Sequence, residues 1–262
     1  MNKIWRDLAI LTGLGLLLWG VLSLVIRLPE QPQIISTAQE EKIGDRYRDL
    51  VIGIPGFTPV NDPWVDSIME VTAEKLHEVQ KKPGFSYTIT MVDNSMVNAF
   101  ALPGGHVLVT TGLVDMCENQ EELLAVICHE IGHIEKRHVI NRMIREIGIS
   151  VLLSGDPYVT GEVARLLVTA GFNRKQEEEA DQFACELMMK AGLEPRALSG
   201  LFRKMRDEQP VNLDRFEWVM SHPNLDTRIR AVLEFPVPEN FTPQEGWIPW
   251  EEFRKQLNLD LN

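Results

Sequence analysis

The sequence has 262 residues, of which 44% are hydrophobic, so it can bury the core of one large domain or two small ones. Its 26 Lys and Arg residues against 38 Asp and Glu residues give a formal net charge of −12, and it contains no basic run. We therefore expect no nucleic-acid partner. The chain has three cysteines, Cys117, Cys128 and Cys185. They form no C-x-x-C pair, which argues against a thiolate zinc site and against a disulfide framework.

The N-terminal segment predicts a membrane anchor. Leu8–Ile26 has only Thr12 and Ser23 as polar interruptions and is about as long as a bilayer-crossing helix. A cleaved signal peptide is the alternative, although its apolar core is usually shorter. Lys3 and Arg6 predict that the N-terminus lies in the cytoplasm and the rest of the chain outside it.

We expect four segments along the chain. Residues 1–27 form a single-pass anchor, and residues 28–39 form a linker that contains Pro and Gln. Residues 40–235 form the folded domain, and residues 236–262 form a tail with Pro and Trp that wraps the domain or its cleft. The expected location of the domain is the periplasmic side of a bacterial inner membrane, with the mitochondrial intermembrane space as the alternative.

Two helices are predicted after the linker. They cover Glu40–Val51 and Trp64–Lys81, and the second carries an apolar stripe behind a cap at Asn61 or Asp62. Between them, residues 53–63 contain three prolines and are predicted to form a loop.

Extended structure is predicted next. From Phe85 to Met91 the apolar residues alternate with polar ones, which predicts a half-buried strand. Asn98–Leu102 and His106–Thr110 are predicted as a hairpin around the turn Pro103-Gly104-Gly105. An edge strand beside a metal site can hold a peptide by main-chain pairing. His106 is predicted as a strand-surface residue, not as a ligand.

The segment Asn119–His138 is predicted to be helical. Asn119 with Glu122 three residues later predicts a capping box, and apolar residues recur behind it at helical spacing. Gly132 is the one poor helix former, at a cost of about 1 kcal/mol against Ala. Its presence indicates that another backbone or a substrate passes close to the helix there.

This helix carries the motif H-E-x-x-H. His129 and His133 are one turn apart and share a face, so both imidazoles can reach one metal ion. Glu130 projects beside them, where it can take a proton from a water on that metal.

Beyond His138 the helix is predicted to continue to about Leu153, where Ser154–Pro157 ends it. Gly161–Thr169 is predicted to form a further helical turn or two. Neither apolar run in this part reaches bilayer length, so we expect no second membrane span.

A second acidic helix is predicted to complete the site. Asn173 caps it with Gln176 as the partner, and Glu177 and Asp181 share one face. Glu177 could bind the metal while Asp181 accepts the ring N–H of a ligand histidine. The alternative is an acidic first turn that is favoured by the helix dipole alone.

Four ordered motifs together resemble the M48 family of zinc metallopeptidases. They are N-A-x-x-x-P-x-G at residues 98–105, H-E-x-x-H at 129–133, R-x-x-E-x-E-A-D at 174–181 and S-H-P-x-x-x-x-R-I at 221–229. The resemblance covers residues 40–233. It implies a gluzincin-type α+β fold, mostly helical, with a small antiparallel sheet and a metal cleft.

The resemblance also implies residue roles. One Zn²⁺ per chain is expected on His129, His133 and Glu177. Glu130 is expected to be the general base, and Asp181 to hold a ligand histidine through its ring N–H.

Further residues are expected to line the cleft. His222 and Arg228 correspond to residues that stabilise the oxyanion or, for the histidine, gate the metal in a resting state. His138 is interpreted as structural. The substrate is expected along one strand, at Asn98, Ala99, Phe100 and Ala101.

The resulting hypothesis is a zinc endopeptidase that cleaves unfolded or misassembled envelope proteins. A zinc-bearing chaperone without proteolysis is the first alternative, but a pure binder needs no base at Glu130. A multi-spanning enzyme for lipidated peptides would need more apolar runs than this sequence has. Another zinc hydrolase with the same ligands is the third alternative.

Overall fold

The computed structural model describes residues 3–26, 35–81, 83–154, 171–208, 222–244 and 246–259. The chain divides into two compact units, Met1–Ser36 and Thr37–Asn262. Several predicted features fall outside the described residues: most of the linker, the helical turns at Gly161–Thr169, and Ser221 of the S-H-P motif.

The first unit contains helix α1, Lys3–Ile26. Large apolar side chains on it are exposed, among them Leu11 and Trp19. Within the described ranges, no helix combines the length and the hydropathy of a membrane span.

The second unit contains the remaining described helices. They are α2 Thr37–Ile52, α3 Pro63–Gln80, α4 Thr111–Met116, α5 Gln120–Glu135, α6 His138–Ile147, α7 Ile149–Ser154, α8 Arg174–Lys190, α9 Leu198–Glu208, α10 Leu225–Leu233 and α11 Trp250–Gln256. The two helices predicted after the linker are therefore confirmed as α2 and α3. Asp62 caps α3, because its carboxylate accepts the N–H groups of Trp64 at 2.9 Å and Val65 at 3.1 Å.

A four-stranded sheet lies in this unit. Its strands are β1 Thr58–Pro59, β2 Thr88–Asp93, β3 Ala99–Ala101 and β4 His106–Thr110, in the order β1-β2-β4-β3. The predicted strand and hairpin are confirmed, while β1 forms where a loop was predicted. The sheet is mixed and not antiparallel, since β2 pairs with β4 in parallel. The reason is the path of the chain. After β2 it forms β3 one strand position further along the sheet, and it then turns back so that β4 fills the position between β2 and β3.

The hairpin turn requires glycine. Gly104 and Gly105 have φ angles of 77° and 99°, in the left-handed region that side chains with a Cβ rarely adopt. The turn places β3 at an edge of the sheet, beside α5.

Helix α5 is the centre of the core, and nearly every residue in it is buried. Asn119 caps it by accepting the N–H of Glu122 at 3.0 Å. The second half of the predicted capping box does not form. The Glu122 carboxylate instead accepts the N–H of Glu118 at 2.8 Å and contacts Lys204 Nζ at 2.5 Å. The charged Lys204 thus binds the Glu122 carboxylate in place of the Asn119 N–H.

Helices α5 and α8 pack closely at Gly132. A Cβ added there would lie 3.1 Å from both the Cα and the carbonyl oxygen of Ala180. This confirms the prediction that another backbone passes close to Gly132. The predicted cap of α8 is also confirmed, because Asn173 and Gln176 form a reciprocal capping box.

The predicted continuous helix to Leu153 is interrupted twice. Arg137 adopts a left-handed conformation with φ 56°, and Gly148 has φ 80°. The Arg137 guanidinium contacts the buried Glu40 carboxylate at 2.6 Å, which fixes the turn in place. Because of this turn, His138 begins α6 and its ring lies beside the ring of His133.

Candidate metal centre

Four buried side chains bring metal-ligating atoms together: His129, His133, Glu177 and His222. One donor atom from each lies within 4.8 Å of all the others. The two histidines of the motif come from α5 and the glutamate from the first turn of α8. His222 precedes α10. The side chains are at most 3% exposed, so the predicted convergence of α5 and α8 on one site is present in the structure.

The spacing of these donors fits one zinc ion. A tetrahedral zinc with bonds of about 2.0–2.1 Å holds its ligand atoms about 3.3 Å apart. The Nε2 atoms of His129 and His133 are 3.1 Å apart. Each lies 3.6 Å from an oxygen of Glu177. His222 Nδ1 is 3.3 Å from His129 Nε2 and 3.0 Å from Glu177 Oε1, so it is the fourth donor of the cluster.

Burial sets the protonation of these groups. It lowers the pKa of His129 to about 4 and the pKa of His133 well below its ordinary value. Both rings are therefore neutral at pH 7, which is the form that binds metals. Burial raises the pKa of Glu177, an effect opposed by the positive charge of Arg228.

Asp181 lies against the ring of His129. Its Oδ1 lies 2.9 Å from His129 Nδ1, so the ring donates Nδ1–H to the carboxylate and its Nε2 lone pair faces the cluster. Arg228 holds Asp181 in turn with two hydrogen bonds of 2.7 Å and 2.6 Å. Burial raises the pKa of Asp181, but Arg228 outweighs burial and keeps that pKa well below its ordinary value.

Arg228 is itself buried among the groups that build the site. Besides Asp181, it contacts Glu177 Oε2 at 2.7 Å and donates to the main-chain carbonyl of His222 at 3.2 Å. Its guanidinium packs 4.3 Å from the ring centre of Phe202. These contacts make Arg228 an anchor for two carboxylates, and its predicted action on an oxyanion stays a prediction.

Glu130 lies beside the donors and is only 1% exposed. Its Oε2 accepts the main-chain N–H of Ala101 at 2.9 Å, which ties it to the edge strand β3. Its Oε1 is 3.6 Å from His222 Nε2. The carboxylate is therefore held beside the metal donors, and its predicted role as the general base stays a prediction.

Two residues near the site have partners that the sequence did not indicate. His138 Nδ1 lies 3.0 Å from His133 Nδ1, and His138 Nε2 lies 3.0 Å from Glu179 Oε2. Phe172 stacks on His133 with ring centroids 3.8 Å apart and planes at 17°. The sequence did not indicate the contact between His138 and His133, because in an unbroken helix a residue five positions further along lies on a different face.

His106 is not the surface residue that was predicted. It is buried, and its ring lies 2.6 Å from Thr88 Oγ1 and 3.3 Å from Asp45 Oδ1. The cluster of metal-ligating side chains described above does not include His106.

Comparison with known proteins adds an independent result. Residues 59–235 match the family model of peptidase family M48. The chain is 25% identical over 214 residues to the beta-barrel assembly-enhancing protease of Escherichia coli (strain K12), over 74% of this chain and 43% of that protein. It is 32% identical over 168 residues to the mitochondrial metalloendopeptidase OMA1 of Schizosaccharomyces pombe, over 62% of this chain and 46% of that protein.

A third relative is closer in length. The chain is 25% identical over 218 residues to metalloprotease LoiP of Escherichia coli (strain K12), over 75% of this chain and 85% of that protein. By contrast, it spans less than half the length of the first two relatives.

The family match covers more than half of the chain and includes every residue of the donor cluster together with Glu130, Asp181 and Arg228. Motifs, geometry and comparison agree, and the chain belongs to peptidase family M48.

Proposed function

We propose that the chain is a zinc-dependent endopeptidase with one zinc ion per molecule. The observation that carries this proposal is the cluster of His129, His133 and Glu177, whose donor atoms are 3.1 to 3.6 Å apart with Glu130 fixed beside them. When bound there, zinc supplies an activated water and polarises the carbonyl of the scissile bond.

The residues of the chain supply the proton transfers. Glu130 takes the proton of the attacking water and later delivers it to the leaving amine. The hydrogen bond from Ala101 N–H to Oε2 holds the Glu130 carboxylate beside the metal donors, where it can exchange that proton. Asp181 and Arg228 keep the ring of His129 in the tautomer that offers Nε2 to the metal.

His222 makes the structure a resting state of this enzyme. A zinc site with four protein donors has no open position, whereas a catalytic zinc keeps one for water or substrate. His222 Nδ1 lies 3.0 Å from Glu177 Oε1, so its ring would fill that position if it bound the metal. The ring must therefore leave the cluster before a peptide is cleaved.

The substrate is a polypeptide that pairs with the edge of β3 that faces away from β4, where Ala101 N–H is bonded to Glu130 in this structure. Leu102 donates to His106 and Asn98 accepts from Thr110, so the even-numbered residues of this strand bond to β4. The main-chain groups of Ala99 and Ala101 face the other side. Both residues are at most 4% exposed, so this edge must be uncovered before a peptide can pair with it.

We propose further that the substrates are unfolded or misassembled proteins of the cell envelope. Main-chain pairing reads no particular sequence, which suits substrates that share only an extended backbone. One relative is named as a protease that enhances beta-barrel assembly, and this name supports substrates among proteins that have not assembled. The apolar run Leu8–Ile26, with Lys3 and Arg6 before it, supports an N-terminal anchor and a catalytic domain outside the cytoplasm.

A set of three substitutions tests the proposed activity. Glu130→Gln is expected to retain zinc and lose cleavage of an unfolded protein such as casein. Glu177→Gln is expected to lose both, and Glu178→Gln, at an exposed neighbour, neither. Normal cleavage by Glu130→Gln contradicts the mechanism. Zinc binding without any cleavage by the wild-type chain, in the presence of an unfolded substrate, favours the chaperone alternative.

A further inference from the structure

The ring of His133 has a second partner besides the metal donors. Its Nε2 faces the cluster, 3.1 Å from His129 Nε2 and 3.6 Å from Glu177 Oε1. A neutral imidazole that offers Nε2 to a metal carries its proton on Nδ1. His133 Nδ1–H therefore needs an acceptor, and His138 Nδ1 lies 3.0 Å away.

This requirement fixes the direction of the next hydrogen bond. If His138 Nδ1 accepts, its own proton is on Nε2. His138 Nε2 lies 3.0 Å from Glu179 Oε2, and a carboxylate is an acceptor. A single arrangement of protons thus satisfies every group from the buried His133 to Glu179, whose side chain is 38% exposed.

Two further contacts restrict the ring of His133. Phe172 stacks on it with centroids 3.8 Å apart, which fixes the plane of the imidazole. The guanidinium carbon of Arg142 lies 4.3 Å from the centre of the Phe172 ring. Stacking fixes the plane, but only a hydrogen bond at Nδ1 selects the tautomer.

We propose that His138 and Glu179 are positioning residues for His133, in the way that Asp181 is for His129. The two histidines of the motif are then oriented by different devices. Asp181 reaches His129 directly from α8, whereas Glu179 on the same helix reaches His133 through His138. The left-handed turn at Arg137 makes this possible, because it brings His138 back against the end of α5.

The inference rests on the metal site of the proposed function, but its test does not need cleavage. The full-length apoprotein of each variant is titrated with zinc in competition with a coloured chelator. The melting temperature of the zinc-free form is measured in parallel.

His138→Leu removes the acceptor, and we expect zinc affinity to fall about 10–100-fold. His138→Asn places an oxygen near the former Nδ1 position, and we expect it to recover most of that loss.

Glu179→Gln keeps an acceptor but removes the charge, so a smaller loss of zinc affinity is expected. Glu178→Gln, next to it on the exposed face of α8, is the matched control and should bind zinc like the wild type.

Two results would overturn the proposal. One is wild-type zinc affinity in His138→Leu. The other is an equal loss of zinc affinity in His138→Leu and His138→Asn with an equal drop in the apoprotein melting temperature, which is the pattern of a residue that only packs. If the wild-type chain binds no zinc, the proposed function fails as well, and this outcome is distinct from both.

Discussion

Gly132→Ala tests how closely the two ligand-bearing helices must approach. The added Cβ would lie 3.1 Å from the Cα and the carbonyl oxygen of Ala180, and 3.3 Å from the Cβ of Phe183. The first two atoms belong to the backbone, so no rotation of a side chain can relieve the contact. To reach ordinary van der Waals distance, α8 must move away from α5 by a few tenths of an ångström.

The expected magnitudes follow from two opposing effects. Replacing Gly by Ala inside a helix gains about 1 kcal/mol of folding free energy. Overpacking a well-filled contact costs about 1–3 kcal/mol. The net change in unfolding free energy is therefore expected to lie between zero and a loss of about 2 kcal/mol.

The effect on zinc is expected to be larger than the effect on stability. Ala180 lies on α8 between Glu177 and Asp181, so the same shift moves the third ligand away from the two histidines. Metal–ligand bonds tolerate displacements of only about 0.2 Å. We expect zinc affinity to fall at least tenfold, which corresponds to about 1.4 kcal/mol.

The assay is chelator competition for zinc affinity, with urea unfolding of the apoprotein for stability. Gly200→Ala in α9 is the control, because its added Cβ would meet the Glu122 carboxylate at 2.9 Å, a side chain outside the metal cluster, and no backbone atom of α8. It should leave zinc affinity unchanged. A Gly132→Ala chain that is about 1 kcal/mol more stable and binds zinc normally would show that α5 and α8 do not need this close approach.

Three further predictions concern stability. Arg228→Leu removes the cation between two buried carboxylates, so urea unfolding should show a loss of about 3–5 kcal/mol, and a loss below about 1 kcal/mol would contradict the anchoring role. Burial raises the pKa of Glu40 from 4.5 to about 7, against the opposing charge of Arg137, so folding favours the protonated carboxyl. The stabilisation from this group is full below pH 4.5 and is lost as the pH rises towards 7, by about 3 kcal/mol in all. Glu40→Gln should flatten that part of the pH profile of the apoprotein, and an unchanged difference from the wild type across the window would argue against it. Phe253→Ala in the C-terminal tail should cost about 3–5 kcal/mol, because the ring is fully buried, and a change near zero would show that the tail does not support the domain.

The sequence was informative where local chemistry determines structure. Caps and apolar spacing located α5 and α8, and the requirement of a metal for a third donor pointed to Glu177. The close approach of another backbone at Gly132 was predictable for the same reason, since a glycine inside a helix costs stability and indicates that a side chain would not fit there. These inferences depend on residues within one helix or on a fixed coordination chemistry.

Other features depend on contacts between distant parts of the chain. The parallel pairing of β2 and β4 follows from the path of the chain through β3, which no periodicity records. The left-handed turn at Arg137 lies against Glu40 of the distant helix α2, and helical spacing alone could not place His138 beside His133.

The tail is a similar case. Trp250 Nε1 donates to the carbonyl of Glu118 at 3.0 Å, and Ile248 N–H donates to Gln120 Oε1 at 2.7 Å. These contacts hold the N-terminal end of α5. Residues 236–262 were expected to wrap either the domain or its cleft, and their described part packs on the domain. The Pro and Trp content of the tail does not indicate which of its residues contact which part of the domain.

The central claim is that three side chains from two helices hold one catalytic zinc ion. The most direct measurement is a titration of the metal-free, full-length chain with zinc, in which the initial rate of casein cleavage is recorded at each addition. We expect no cleavage without zinc, a rise in the initial rate that ends at one equivalent of zinc per chain, and no rise in Glu177→Gln. Cleavage that is independent of zinc, or an unchanged titration in Glu177→Gln, would contradict it.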